Sequence, residues 1–284
     1  MPKNIMRLQK GVFGVLWLAL FAAGPLAPAA RAQLVEIARF QDAEAVGIAV
    51  SRQGRVFVTL PYSNYSTEQH AASVAEVLAD GRTVPYPDAA WNAKADPPTQ
   101  QPRSRFLCTQ GIAVDEDDNL WVLDTGSPRR AGVVAGGAKL VKIALASNQV
   151  VQVLPIPVAV TTPQGFLNDV RVDAKRQVAY ASETGPVAGL VVVDLRTGVA
   201  GRIDAERLPS RGEQDFGPTR VAGGWGFPDG LVLSPNGRFL YFQTLSGTTV
   251  FRVPTAALRR AASPTARARF AKPAPWAKRW LPTG

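Results

Sequence analysis

Oxygen-bearing side chains recur along this chain at a spacing that points to a shared site. Gln110, Asn168 and Asp229 each open a short apolar run, with Asp169 directly behind Asn168. A second apolar run then closes on Asp124, Glu183 and Gln243, matched by Thr59 in an earlier copy. Carboxylates placed this way can carry a proton to or from a bound molecule. Such oxygens are also the hard donors that Ca²⁺ takes in sets of about six to eight, with no need of thiolate or imidazole. Asp or Asn at the start of a strand can equally serve only to satisfy backbone N–H groups in the turn.

Other chemistries are poorly supplied. The single cysteine, Cys108, follows Phe106 and Leu107 and reads as a buried structural thiol; the single histidine, His70, lies in the polar stretch SNYSTEQHAAS. A Cys/His metal site or nucleophile pair would have to use both. No Gly-x-Ser-x-Gly elbow is present for a serine hydrolase. Asn64-Tyr65-Ser66 matches a glycosylation sequon.

The elements that position the oxygen donors announce themselves by repetition. VGIAVSRQGRVFVTLP from Val46, QGIAVDEDDNLWVLDTG from Gln110, NDVRVDAKRQVAYASETG from Asn168 and DGLVLSPNGRFLYFQTLSG from Asp229 share one plan. Each is an apolar strand, a turn of Asp, Asn or Gly, and a second apolar strand. With Gly47, Gly111, Asp169 and Gly230 as equivalents, the steps are 64, 58 and 61 residues. Between the copies lie further hairpins: 73–78 with 82–86, 139–145 with 149–154, and 190–195 with 199–203. Four antiparallel strands per repeat make one blade of a β-propeller. The fold class is therefore all-β. In such a fold the first strands surround a central channel, so Gln110, Asn168 and Asp229 should share one rim with Asp124 and Glu183.

Smaller signals fit that frame. Asp115 to Asp118 resembles a run of calcium ligands, but its place in a hairpin on the opposite rim reads as a solvated turn. Trp121, Tyr180 and Tyr241 alternate within second strands and read as packing between blades. Trp225, just before Phe227-Pro228-Asp229, sits where a loop enters the rim and can stack on a flat ligand.

The ends differ from the body. Lys3, Arg7 and Lys10, an apolar core from Gly11 to Gly24 and Ala30-Arg31-Ala32 form a secretory signal peptide. Its core of 14 residues is shorter than the roughly 20 that a spanning helix needs. Cleavage near Ala32/Gln33 would leave about 250 residues, secreted or periplasmic, with no transmembrane segment. The formal charge of +10 resides at the two ends: four basic residues in 1–34, seven in 255–284, and no acid in either. The intervening body holds 21 basic and 22 acidic residues, which argues against a nucleic-acid-binding face.

YPDAAWN (86–92), QGIAVDEDDNLWVLDTG (110–126), FLNDVRVD (166–173), AYASETG (179–185), GLVVVDL (189–195) and FPDGLVLSPNGRFLYFQTLSG (227–247) resemble the major royal jelly protein/Yellow family. The likeness is to its bacterial, exported branch, and runs from about Leu34 to Thr255. It implies a six-bladed propeller akin to the SMP-30/gluconolactonase group. It also implies dopachrome conversion or small-amine binding in the channel. In the lactonase-type propellers, Asn and Asp at these strand starts hold a divalent cation, which on this resemblance makes Asn168 and Asp229 metal ligands with Gln110 and Asp169 nearby. In a hydrolytic version Asp229 or Glu183 handles the proton.

Six blades of roughly 60 residues need on the order of 350 residues, whereas 222 run from Gln33 to Pro254, room for three to four blades. After Thr255 the composition changes to AALRRAASPTARARFAKPAPWAKRWLPTG, without acids or strand alternation. That pattern is expected of a C-terminal truncation by frameshift near residue 256, leaving an incomplete, impaired propeller. A basic tail that binds anionic lipid or polysaccharide is the alternative. Two function classes remain: an enzyme acting on a quinone or lactone, and a non-catalytic ligand-binding propeller.

Overall fold

The computed structural model describes residues 34–41, 43–62, 72–94, 101–185, 188–204, 228–244, 250–262 and 278–279. The chain divides into two units, Met1–Glu36 and Ile37–Gly284. Within the first, residues 34–36 are described and carry no regular secondary structure. The expected signal peptide, the sequon at Asn64, His70 and Trp225 lie outside the described residues.

Among the described residues of the second unit, apolar runs interrupted by tight turns give four sheets, each of four antiparallel strands in chain order. Blade 1 comprises β1 (Gly47–Val50), β2 (Val56–Thr59), β3 (Val74–Val77) and β4 (Thr83–Pro85). Blade 2 comprises β5 (Thr109–Val114), β6 (Asn119–Asp124), β7 (Lys139–Ala144) and β8 (Gln149–Pro155). Blade 3 comprises β9 (Phe166–Asp173), β10 (Val178–Thr184), β11 (Gly189–Asp194) and β12 (Ala200–Asp204). Blade 4 comprises β13 (Pro228–Leu233), β14 (Phe239–Thr244), β15 (Val250–Pro254) and β16 (Lys278–Arg279). Successive blades meet through their first strands, β1 against β5, β5 against β9, and β9 against β13. This is the propeller arrangement, with four blades among the described residues.

The turn between the first and second strands is the same device four times. Gly54, Asp118, Gln177 and Gly237 each have positive φ, and each donates its N–H to the carbonyl three residues back. Asp115 departs from the expected solvated turn. It is buried, and its carboxylate accepts from the backbone N–H groups of Asp117 and Asn119 and from the Trp121 indole N–H at 2.8 Å. A buried carboxylate needs such partners, and here it fixes the hairpin and the indole together.

One aromatic side chain per second strand covers the next blade. Phe57 of β2 packs against Ile112, Leu120 and Val122 of blade 2. Trp121 of β6 joins Val170 and Val191 of blade 3, and Tyr180 of β10 joins Leu231, Leu240 and Phe242 of blade 4. Tyr241, expected in the same role, is half-buried and packs in none of the core clusters between the described blades. The outer faces of the first and last described blades expose Ile48 (64%), Val50 (56%) and Val232 (60%).

Among the described residues, two α-helices lie between the strands. In α1 (Ala89–Asn92) the Asp88 carboxylate accepts the Trp91 N–H at 2.8 Å as an N-cap. Asn92 then accepts from the Ser73 and Val74 N–H groups, each at 2.9 Å, tying the YPDAAWN segment back to β3. The basic segment after Pro254 opens with α2 (Thr255–Ala262). Ala257, Leu258 and Ala262 of this helix are buried, with Leu258 and Ala262 against Ile203 and Val253. The Arg259 guanidinium donates to the Tyr180 hydroxyl at 3.1 Å. No helix among the described residues is long and apolar enough to cross a membrane.

Candidate functional site

The first strands of three blades begin with the same irregularity. In β5 the register jumps between Thr109↔Asp124 and Ile112↔Val122, so Gln110 and Gly111 both face one residue, Leu123. In β9 it jumps between Leu167↔Glu183 and Val170↔Ala181, so Asn168 and Asp169 face Ser182. In β13 it jumps between Pro228↔Thr244 and Leu231↔Phe242, so Asp229 and Gly230 face Gln243. These are β-bulges, which re-aim side chains and recur beside functional sites. The polar residues expected at the strand starts therefore occupy equivalent places: Gln110, Asn168 and Asp229.

The bulges also tie the blades together through backbone at close range. The Thr59 hydroxyl accepts the Gly47 N–H at 2.9 Å and donates to the Gln110 carbonyl at 2.6 Å. In blade 3 the Ser182 hydroxyl accepts the Asp169 N–H at 3.0 Å and donates to the Asp229 carbonyl at 2.7 Å. Gly111 leaves space for the next blade: a Cβ there would lie 2.8 Å from the Val170 nitrogen and 2.9 Å from the Asn168 carbonyl oxygen. Asp169 bridges the following pair, its Oδ2 accepting the Leu231 N–H at 2.9 Å. Its Oδ1 pairs with the Arg171 guanidinium at 2.7 Å.

The expected slot of Thr59, Asp124, Glu183 and Gln243 is not one slot. Thr59 stands opposite Gly47, which matches Leu123, Ser182 and Gln243. Asp124 and Glu183 stand one residue further along, and one residue moves a side chain to the other face of the strand. Both are fully buried. Asp124 receives the Lys139 ammonium at 2.5 Å and the backbone N–H groups of Leu107, Cys108 and Gly126 at 2.8, 3.0 and 2.9 Å. Glu183 pairs with the Arg202 guanidinium and accepts the Thr162 N–H at 3.1 Å. The two carboxylates thus hold the segments that lead into β5 and β9. Lys139 in an apolar run was the available sequence signal for this role.

Cys108 is buried with its thiol 3.6 Å from the Tyr62 carbonyl, and burial pushes the thiol pKa up, with the Asp124 charge adding to it. This is the structural thiol the sequence leads one to expect.

Asp229 differs from the other acids. It is partly buried, and its carboxylate makes no hydrogen bond or ion pair to another described residue. Burial holds its pKa above the ordinary 3.8, the neighbouring Asp169 charge raises it further, and Arg130 opposes both. The folded protein then binds this proton more tightly than the unfolded chain, so stability falls as pH rises from 3.8 through the folded value. Below that window both states are protonated and the penalty vanishes. Asp229→Asn is expected to raise Tm at pH 7 and to lose this advantage below pH 3.8. Thermal unfolding of both proteins across that range checks it; equal Tm at pH 7 would count against a desolvated carboxyl.

Among the described residues, no three His, Cys, Asp or Glu side chains lie together in a way that could hold a metal ion. Asp169 is engaged by Arg171 and by backbone N–H groups. Asn168 and Asp229 open adjacent first strands, and a cation held there would draw the rest of its six to eight oxygens from other groups.

Four-stranded blades meeting through bulged first strands make this a β-propeller. A sequence model of the major royal jelly protein family matches residues 107–274. That is more than half of the chain, which belongs to that family. The match runs past residue 255, into the segment of changed composition. The chain is also similar to a chain in the crystal structure of a nidogen/laminin complex, at 14% identity with a TM-score of 0.48, over 78% of this chain and 63% of that one. A second similar structure is the extracellular domain of a protein described as a one-component system from B. thetaiotaomicron, at 12% identity with a TM-score of 0.42, over 74% of this chain and 23% of that one. The chain therefore spans less than two thirds of the length of either. No curated protein matches it.

Proposed function

We propose that this chain is an exported propeller protein that binds a small molecule at the bulged strand starts, with Asp229 exchanging a proton with the ligand. The observation that carries this reading is the Asp229 carboxyl, partly buried, held protonatable and left without a partner among the described residues. Asn168 in the adjacent bulge and Gln110 in the one beyond add polar side chains at equivalent positions. The charge pattern of the body and the N-terminal signal pattern agree with a small-molecule binder outside the cytoplasm. The family likeness adds small amines as a ligand class.

The test uses protein recovered from an exporting host. Export predicts an N-terminus near Gln33, read by mass spectrometry. Thermal unfolding with 2-phenylethylamine, dopamine and a γ-lactone should show a concentration-dependent rise in Tm for at least one probe. Saturation at a hundredfold over Kd contributes about 2.7 kcal/mol. Asp229→Ala should abolish the rise. No shift at millimolar concentration from any probe removes the reading.

A second reading, turnover of a dopachrome-type quinone or a lactone, is favoured by the same raised pKa. A positioned proton carrier gives about 10²–10⁴ in rate. Glu183 is less suited to that role than Asp229, because its carboxylate is buried against Arg202. Turnover that disappears in Asp229→Asn supports the enzyme; stabilisation without turnover supports the binder.

A further inference from the structure

A second charged group faces the same strand starts. The segment after β6 carries Arg129 and Arg130, both with positive φ (53° and 55°), a conformation that side chains other than glycine rarely adopt. Such backbone persists where its surroundings over-determine it, and it clusters at functional sites. Here the determinants are visible. The Arg129 N–H donates to the Tyr62 carbonyl at 2.9 Å, and its guanidinium lies 4.8 Å from the Tyr62 ring centroid. The Arg130 N–H donates to the Ser127 carbonyl at 3.1 Å.

The result is that the Arg130 guanidinium sits 4.0 Å from the centroid of the Phe166 ring. Phe166 is buried and is the first residue of β9, two positions before Asn168. A cation held against a fixed ring has a defined place. Arg130 is nonetheless exposed, and its guanidinium makes no hydrogen bond or ion pair to another described residue. It acts electrostatically on Asp229 without pairing with it.

The charges at the strand starts then sort simply. Asp169 is held by Arg171 in its own ion pair, while its charge still acts on Asp229. Asp229 and Arg130 remain, opposite in sign, Arg130 held on the first residue of β9 and Asp229 at the start of the adjoining β13, each without a hydrogen-bonded partner among the described residues. A guanidinium stacked on a ring presents its planar N–H fork, which matches a carboxylate in bidentate fashion. A carboxylate such as Asp229 matches an ammonium.

We propose that the ligand of this site is an amino acid-like zwitterion, its carboxylate on Arg130 and its ammonium on Asp229. The proposal rests on the reading of the strand starts as a small-molecule site and adds the class of ligand. Arg130 is the residue that selects for the carboxylate.

Calorimetric titration at pH 7 with three probes sharing one phenyl body tests it: 2-phenylethylamine, L-phenylalanine and 3-phenylpropionate. Phenylalanine is expected to bind about tenfold to a hundredfold more tightly than 2-phenylethylamine, the ratio a charge-assisted hydrogen bond supplies. In Arg130→Ala that ratio should collapse to about one. Arg130→Gln, which keeps the side-chain stem, should collapse it as well and covers a folding failure of the alanine variant. Equal binding of amine and amino acid by the parent protein overturns the zwitterion while leaving the small-molecule site intact. So does tightest binding of 3-phenylpropionate, or a ratio that survives both substitutions. Failure of all three probes to bind removes both readings together.

Discussion

Asp124→Ala is expected to cost about 3–5 kcal/mol, the usual loss when one partner of a buried ion pair is removed. Lys139 and Asp124 are both fully buried, with 2.5 Å between ammonium and carboxylate. Removing the carboxylate leaves a buried ammonium whose other described contact is the Gly137 carbonyl at 3.2 Å. It also strands the N–H groups of Leu107, Cys108 and Gly126. Since a domain holds only about 5–15 kcal/mol in total, the variant should unfold at much lower urea or fail to fold cooperatively. Tryptophan fluorescence reports it, because Trp121 lies in the same strand. Replacing both partners with apolar residues separates the two contributions. The double variant Asp124→Leu/Lys139→Met removes the stranded charge but still lacks an acceptor for three N–H groups, each worth about 1 kcal/mol. It should therefore recover part, and only part, of the loss. A cost below about 1 kcal/mol for Asp124→Ala would mean that Asp124 does not brace the segment leading into β5.

The blades were legible because their strands alternate and their turns repeat. The phase of the strand starts was not. A β-bulge inserts one residue without changing composition, so counting from the turn assigns Asp124 and Glu183 to a slot held by Leu123 and Ser182. Glycine beside the polar residue in Gln110-Gly111 and Asp229-Gly230 was the trace that the bulge left in the sequence. The helix α2 is hidden in the sequence for a different reason: its buried face includes Ala257, Leu258 and Ala262, a helical spacing written mostly in alanine. Arg130 could not be found by any local pattern. Its position over Phe166 depends on backbone turns at Arg129 and Arg130 that bring together residues far apart in sequence.

Blade 3 solves the same burial problem as blade 2 with a different residue, and this predicts an unusually costly substitution at Gly189. In blade 2 the position opposite Asp124 on the third strand is Lys139, which supplies the cation itself. In blade 3 the position opposite Glu183 is Gly189, and the cation comes from Arg202 on the fourth strand. The bare glycine is what admits it. A Cβ at Gly189 would lie 2.5 Å from the Ile203 carbonyl oxygen and 3.2 Å from Arg202 Nη2. The first contact is to backbone, so strands β11 and β12 must part or Arg202 must withdraw. Parting costs about 1–3 kcal/mol as overpacking; withdrawal exposes the full loss of a buried pair, about 3–5 kcal/mol. Gly189→Ala is expected at the larger figure. A double-mutant cycle with Glu183→Gln decides between the routes. If the methyl acts by displacing Arg202, its cost shrinks once the carboxylate is gone, and the two substitutions are strongly non-additive. Additive costs would mean that the clash with Ile203 alone sets the penalty, and that Gly189 does not serve the ion pair.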